Sequence, residues 1–254
     1  MKPFDLIAAL AAGLLSVAAA AAEPAPVPAN IAAAVADAGR PADDRKADAL
    51  RHPAEVVAFA GVRPGDSVAD LLPGAGYFTR IFSKAVGPTG HVYAIVPAEI
   101  AKQFPKSVDA IQAIAADPAY ANVTVLIEPI DAISAPRPLD LVWTSQNYHD
   151  FHDPFMGPAD LGKVNAAVMA ALRPGGVYLV LDHVAAAGSG LRDTNTLHRI
   201  DPDVVRAEVT AAGFTLEAHS DLLTNPGDTH VEKVFDPSIR GRTDQFIFRF
   251  RKPG

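Results

Sequence analysis

Val68–Arg80 reads VADLLPGAGYFTR, the point in the chain where a strand turns into a helix. Val68, Ala69, Leu71 and Leu72 form an apolar run that carries one acid, Asp70. The run breaks at Pro73 into a turn with Gly74, Ala75 and Gly76, and a helical pattern begins at Tyr77. Strand, glycine turn and helix together bring backbone close to a nucleotide-like ligand at a helix N-terminus. Gly74 and Gly76 permit that approach because they lack a Cβ and tolerate positive φ. A glycine turn alone is weak; the order of elements around it gives it meaning.

Upstream, His52-Pro53-Ala54-Glu55 places proline at a first helical position, and Gly61 stands where that helix would end. Downstream, Gly87-Pro88-Thr89-Gly90 is a turn and HVYAIV (91–96) a buried strand. One or two helices are expected over 98–116, then a third strand at 122–127 and a fourth at 139–144. A long helix is expected over about 155–172, where Leu161, Val164, Val168 and Leu172 keep helical spacing, and Arg173-Pro174-Gly175-Gly176 breaks it. VYLVLDHV (177–184) is the fifth strand. Asp201-Pro202 caps a helix that ends at Gly213, and strands at 214–219 and 245–251 close the chain. Strands alternating with helices imply an α/β fold, a mostly parallel sheet with helices on both faces. The excursion 222–244 is long for a connection within one domain, and such loops tend to be functional or mobile.

The N-terminus stands apart. Lys2 and Asp5 precede an uncharged stretch from Leu6 to Ala22 that closes on Ala20-Ala21-Ala22, the pattern of a signal peptide cleaved after Ala22. It is short and alanine-rich for a spanning helix, so no stable membrane span is expected after its removal. Export implies a periplasmic or secreted protein. The chain has no cysteine, which excludes disulfides and thiol catalysis. Residues 23–40, rich in alanine and proline, read as a flexible linker. Residues 41–254 then form a single domain of roughly 210 residues, enough for a real core. Net charge is −7, unchanged once Lys2 and Asp5 leave together. An acidic chain without a basic cluster argues against a nucleic-acid partner.

The glycine turn after the first strand, RPGG before the fifth and the element order resemble the class I S-adenosylmethionine-dependent methyltransferases. Within them the chain resembles a group of exported bacterial proteins of unassigned substrate, through DLLPGAGYFTR, NYHD, LHRID and VFDPSIRGRTDQF. The resemblance covers the chain after about residue 40. It implies a Rossmann-like seven-stranded sheet in the order 3-2-1-4-5-7-6, its last strand antiparallel, and S-adenosyl-L-methionine as cofactor. Asp70 matches the acid that orients the methionine end of the cofactor. Gly74 and Gly76 match the last two glycines of its turn, while Leu72 stands at the first, followed by Pro73, a departure that stiffens the turn. Leu72, Pro73, Gly74, Ala75, Gly76 and Tyr77 would line the cofactor. The acid that grips the ribose is replaced by Val96-Pro97, leaving Glu99 to serve; Asp131, beside Ile130, matches the position near the adenine.

SQNYHDFHDP (145–154) lies after the fourth strand, where the family's methyl acceptor would sit. Asn147-Tyr148 echoes the Asn/Asp-Pro-Pro-aromatic motif of amino-group methyltransferases, without its prolines. His149 or Asp150 would take a proton from an acceptor; alternatively, both cap the following helix, and Asp153-Pro154 has that form too. Asn147, Tyr148, His149 and Asp150 are therefore the candidate catalytic residues; Asp182-His183, ending the fifth strand, either points to the same rim or forms a buried structural pair. His149 and His152, three apart with acids between, also allow a metal-dependent enzyme. In LHRID (197–201), Arg199 either clamps an anionic acceptor group or pairs with an aspartate to hold its loop. DPSIRGRTD (236–244) is either a lid or a hairpin arm. The resemblance favours a methyltransferase acting on a small-molecule or cell-envelope substrate. The alternative is a non-catalytic binding protein on the same fold, because the cofactor is made in the cytosol and the ribose acid is missing.

Overall fold

The computed structural model describes residues 26–157 and 159–254. Residues 1–22, expected from sequence to be a signal peptide, lie outside the described residues. Seven strands are present: β1 (Ser67–Leu71), β2 (His91–Pro97), β3 (Val123–Glu128), β4 (Leu139–Ser145), β5 (Leu172–His183), β6 (Thr215–Ser220) and β7 (Gln245–Arg251). They form one sheet in the order β3-β2-β1-β4-β5-β7-β6. All neighbouring pairs are parallel except those of β7, which runs antiparallel to both β5 and β6. This is the order and the antiparallel strand that the resemblance implies.

The helices are α1 (Ala29–Val35), α2 (Ala42–Arg51), α3 (Pro53–Ala60), α4 (Tyr77–Val86), α5 (Ala98–Gln103), α6 (Lys106–Ala116), α7 (Leu161–Ala171), α8 (Thr194–Leu197) and α9 (Pro202–Ala211). Every residue of β1 is buried, as a central parallel strand covered on both faces must be. The apolar face of α4 docks on the sheet through Phe78 and Phe82, whose rings lie 4.6 and 5.1 Å from that of the buried Trp143 in β4. No described helix is long and apolar enough to cross a membrane.

Two expectations need correction. Residues 26–40 are not a flexible linker: α1 packs on α3 and α4, with Ile31 and Ala34 buried and the Asn30 side chain bonded to the Ala85 carbonyl at 3.0 Å. The composition that suggests a linker is also that of a good helix, since alanine has the highest helix propensity and Pro28 sits at the N-cap, where no intrahelical N–H is lost. The helix expected over 155–172 begins only at Leu161. Two 3-10 turns, His149–His152 and Pro154–Met156, precede it, and Gly157 at φ 67° ends the second. Asp153-Pro154 stands at the N-cap and first position of the second 3-10 turn, while α7 is capped by Asp160, accepting from the Lys163 amide at 3.2 Å.

The site is fixed by the sheet order. β1 lies between β2 and β4, so the chain's crossovers diverge at its C-terminal end, and the loops after β1 and β4 splay apart there to leave a crevice.

Candidate functional site

A cavity of about 570 Å³ opens at that crevice, within the range of small-molecule sites. Its floor is Asp70 and the turn Leu72–Ala75, one wall is Ser145–Asn147 with His149 and Asp150, and a second wall carries Asp44, Ala47 and Arg51 of α2. His183, His198, Val234 and Phe235 complete it.

Leu72 adopts φ 61°, the left-handed conformation that a glycine would supply at no cost. For a leucine this is strained by about 1–2 kcal/mol, and two bonds hold it: its amide donates to the Ile95 carbonyl at 2.9 Å and its carbonyl accepts from Asn147 Nδ2 at 3.0 Å. Gln146 and His198, also at the cavity, share this conformation at φ 62° and 56°. Strain of this kind collects where ligands are handled. Gly74, at φ 56°, has nothing within 4 Å of where a Cβ would stand, whereas a Cβ on Gly76 would collide with the Ile114 side chain. The two glycines thus serve different needs, an open approach at Gly74 and close packing of α6 at Gly76.

Asp70 is buried at the end of β1 and accepts from the Thr79 hydroxyl at 2.6 Å. Burial pushes its carboxyl up to about 7, with the Thr79 bond pulling only partly against it. Tyr77 turns its hydroxyl away from the turn, donating to Asp48 Oδ1 at 2.6 Å, and Asp48 is also gripped by Arg40 through two bonds of 2.7 and 2.8 Å. The Tyr77 ring lies 4.5 Å under the Arg51 guanidinium. Arg51 bonds the Gln146 amide oxygen at 3.3 Å and, among the described residues, has no carboxylate within ion-pair distance. It is a cation left available to the cavity.

His149 and Asp182 are the electrostatic centre. The His149 ring Nδ1 lies 2.9 Å from Asp182 Oδ1, and the His149 amide donates to Asp182 Oδ2 at 2.8 Å; both side chains are buried. Burial opposes a charge on His149, but Asp182 and Asp150 outweigh it and raise the imidazole to about 10. Burial likewise works against the Asp182 carboxylate, and His149 still holds it below the usual carboxylate range. His183 goes the other way. Burial outweighs Asp182 and, with cationic His149 and Arg199 nearby, drives it to about 3, leaving a neutral ring bonded to Thr243 at 2.7 Å.

Of the expected cofactor residues, the cavity gathers Asp70, Leu72, Pro73, Gly74, Ala75 and Tyr77, and Gly76 lies directly behind as the N-cap of α4. Glu99 and Asp131 do not line it. Glu99, in the first turn of α5, sits 3.3 Å from the Ile130 amide, and Asp131 lies in a 3-10 turn after β3. Of the expected catalytic residues, Asn147, His149 and Asp150 face the cavity. Tyr148 does not: it is the N-cap residue just before the 3-10 turn, and its ring is fully buried in the core between α7 and α9. There its hydroxyl donates to Glu208 at 2.9 Å and accepts from Asn165 at 3.0 Å. Tyr148→Phe is therefore expected to cost about 1–3 kcal/mol in chemical denaturation by orphaning buried polar groups, with cavity ligands bound as before. Weakened binding at unchanged stability would put Tyr148 back in the site. His152 also turns away from His149, toward Glu208 at 3.2 Å, so the two do not form a metal pair.

Arg199 is not a ligand clamp. It is fully buried, pairs with Asp228 at 2.8 and 3.1 Å, and donates to the Val184 and Glu232 carbonyls at 2.9 Å each. It thereby staples the 222–244 excursion, whose Val234 amide bonds the Leu197 carbonyl and whose Phe235 ring lies 4.9 Å from His198. The excursion does cover the cavity, but through Val234 and Phe235 rather than 236–244. Sequence reasoning missed Arg51 and Phe235, and nothing local marks either one. His198, inside LHRID, was within reach of the sequence, because LHRID gathers three ionisable residues just before a helix.

No protein-family model matches the chain. Among solved structures it is similar to a SAM dependent methyltransferase from Aquifex aeolicus (TM-score 0.56, 18% identity, 83% of this chain and 98% of that one). It is also similar to the glycopeptide N-methyltransferase MtfA complexed with sinefungin (TM-score 0.55, 18% identity, 87% and 91%). In sequence, 37 residues are 54% identical to the ubiquinone/menaquinone biosynthesis C-methyltransferase UbiE of Burkholderia vietnamiensis, a match spanning 15% of this chain and 15% of that relative. The protein has the class I methyltransferase fold.

Proposed function

We propose that the chain is an exported S-adenosylmethionine-dependent methyltransferase acting on a small-molecule or cell-envelope acceptor. The observation that carries this reading is a single cavity joining the turn after β1 to the polar wall after β4, in a sheet of methyltransferase order. Its residues fit the methionine half of that cofactor. Asp70 offers a carboxylate to an ammonium, Arg51 offers a guanidinium to a carboxylate, and open space over Gly74 lets the backbone be approached. When bound, the cofactor supplies an electrophilic methyl group on a sulfonium. Asn147 ties the turn to the polar wall, so the two halves of the cavity keep a fixed spacing. That matters because methyl transfer depends chiefly on in-line placement. Val234 and Phe235 add apolar surface to the cavity lining. Glu99 is the candidate for the ribose, since its bond to Ile130 is long and weak enough to exchange, and Asp131 is the candidate near the adenine.

The position of Glu99 and Asp131 outside the cavity favours the second reading, a binding protein on this fold. The two readings separate when the full chain is incubated with methyl-labelled S-adenosylmethionine and bacterial envelope extract. A methyltransferase moves label into a lipid, glycan or small-molecule fraction, and Asp70→Asn lowers the transfer at subsaturating cofactor. A folded protein that binds no S-adenosylmethionine and transfers nothing to any fraction is the binding protein, its fold serving another ligand.

A further inference from the structure

The geometry points to a site for a first-row transition-metal dication, best matched by zinc, held by His149 Nε2, His198 Nδ1 and Asp150 Oδ1. These atoms come from two separate segments, the 3-10 turn after β4 and the end of α8, and all lie within 4.8 Å of one another. Their separations are 3.4 Å between the two ring nitrogens, 3.2 Å from His149 to Asp150 and 3.8 Å from His198 to Asp150. A triangle with those sides has a circumradius of about 2.0 Å, so an ion just off its plane sits about 2.0–2.2 Å from all three atoms, the bond lengths of zinc to nitrogen and oxygen.

Three further observations mark a built site rather than a chance cluster. Asp182, fully buried, engages the opposite nitrogen of His149 at 2.9 Å, the carboxylate–histidine arrangement that orients a metal-ligating imidazole. Asp150 and Asp182 together bring two negative charges, matching a dication that takes the place of the proton on His149 Nε2. His198 is fixed as the C-cap of α8, its amide bonded to the Thr194 carbonyl, and its ring is packed against Phe235 at 4.9 Å. All three ligands line the cavity, so the remaining coordination position faces the cavity and its ligand rather than the core. Two imidazoles and a carboxylate with an open position suit zinc or ferrous iron, and the absence of cysteine excludes a thiolate-rich site. This differs from the His149/His152 pair that the sequence suggests. The partner of His149 is 49 residues away in sequence, where spacing gives no hint.

The inference does not rest on methyl transfer, and its test uses no cofactor. Full-chain protein is stripped with a chelator, and zinc is titrated in competition with a chromophoric chelator. Cobalt is then substituted to read coordination from its visible absorption. The wild type is expected to take up about one equivalent and to show the intense bands of a four- or five-coordinate ion. His198→Ala, at a half-buried position, should remove the stoichiometric uptake and the bands. Asp182→Asn should weaken binding by about 10–100-fold while keeping the stoichiometry. His219→Ala, a histidine outside the cavity, should change neither. If His149→Ala fails to fold because Asp182 loses its buried partner, His198→Ala still decides. Uptake well below one equivalent by folded wild type, or unchanged uptake in His198→Ala, overturns the site.

Discussion

Arg199→Ala is expected to destabilise the protein by about 3–5 kcal/mol, the cost of leaving a buried charge without its partner. The Arg199 and Asp228 side chains are 0% and 1% exposed, so water cannot replace the lost guanidinium. The loss is large against a total stability of about 5–15 kcal/mol for a domain. Two carbonyls, Val184 and Glu232, lose their donor as well. Because Asp228 also accepts from the His230 and Asp244 amides, the loop from Asp228 to Asp244 should loosen together, taking Val234 and Phe235 away from the cavity. Chemical denaturation gives the energy, and limited proteolysis should show new cleavage within 222–244. Arg199→Lys keeps the charge but not the planar fork, so an intermediate loss is expected. A loss below about 1 kcal/mol in Arg199→Ala would mean the excursion is held by something other than this staple.

Asp70→Asn should have two effects of opposite sign. The carboxyl stands at about 7 in the folded protein against an ordinary 3.8. The folded state therefore holds its proton more tightly than the unfolded chain does. The stability this group contributes is fully present below about pH 4 and is lost as pH rises through about 7, about 4 kcal/mol in all. Asparagine escapes that loss and still accepts from Thr79. Ligand-free Asp70→Asn should thus be more stable than wild type at pH 8 and equal to it near pH 4. Binding should move the other way. Losing a charge-assisted bond to the cofactor's ammonium lowers affinity by about 10–100-fold at pH 8. Wild-type affinity should rise with pH up to about 7 as the carboxylate forms, and the variant's should not. Equal stability of the two proteins at pH 8 would show that Asp70 is not held in an unfavourable charged state.

Much of the fold was legible because its signals are local. Tyr77–Val86, Gln245–Arg251 and the Asp201-Pro202 cap are written in short patterns of apolar spacing, proline and glycine, and the structure places them there. Residues 29–35 misled for an equally physical reason: an alanine-rich helix needs a partner surface to be distinguished from a linker, and that surface is α4, some 50 residues on. The strand order came from the resemblance to the class I methyltransferases, not from periodicity. In the candidate site, Asp70, the turn and Asn147–Asp150 could be named from sequence, because loops after parallel strands are where ligands bind. Which of Asn147, Tyr148, His149 and Asp150 faces the cavity depends on how the chain leaves β4 and enters the 3-10 turn at His149, which spacing does not reveal. His198, Arg51 and Phe235 reach the cavity from distant segments, so only the folded chain brings them together.

Calorimetric titration of the full chain with S-adenosylmethionine and with its demethylated product tests whether the crevice at the β1 turn is a cofactor site. Micromolar binding of both, weakened in Asp70→Asn, is the predicted result. A folded protein that gives no heat with either would contradict it and leave the methyltransferase fold here as a scaffold for another ligand.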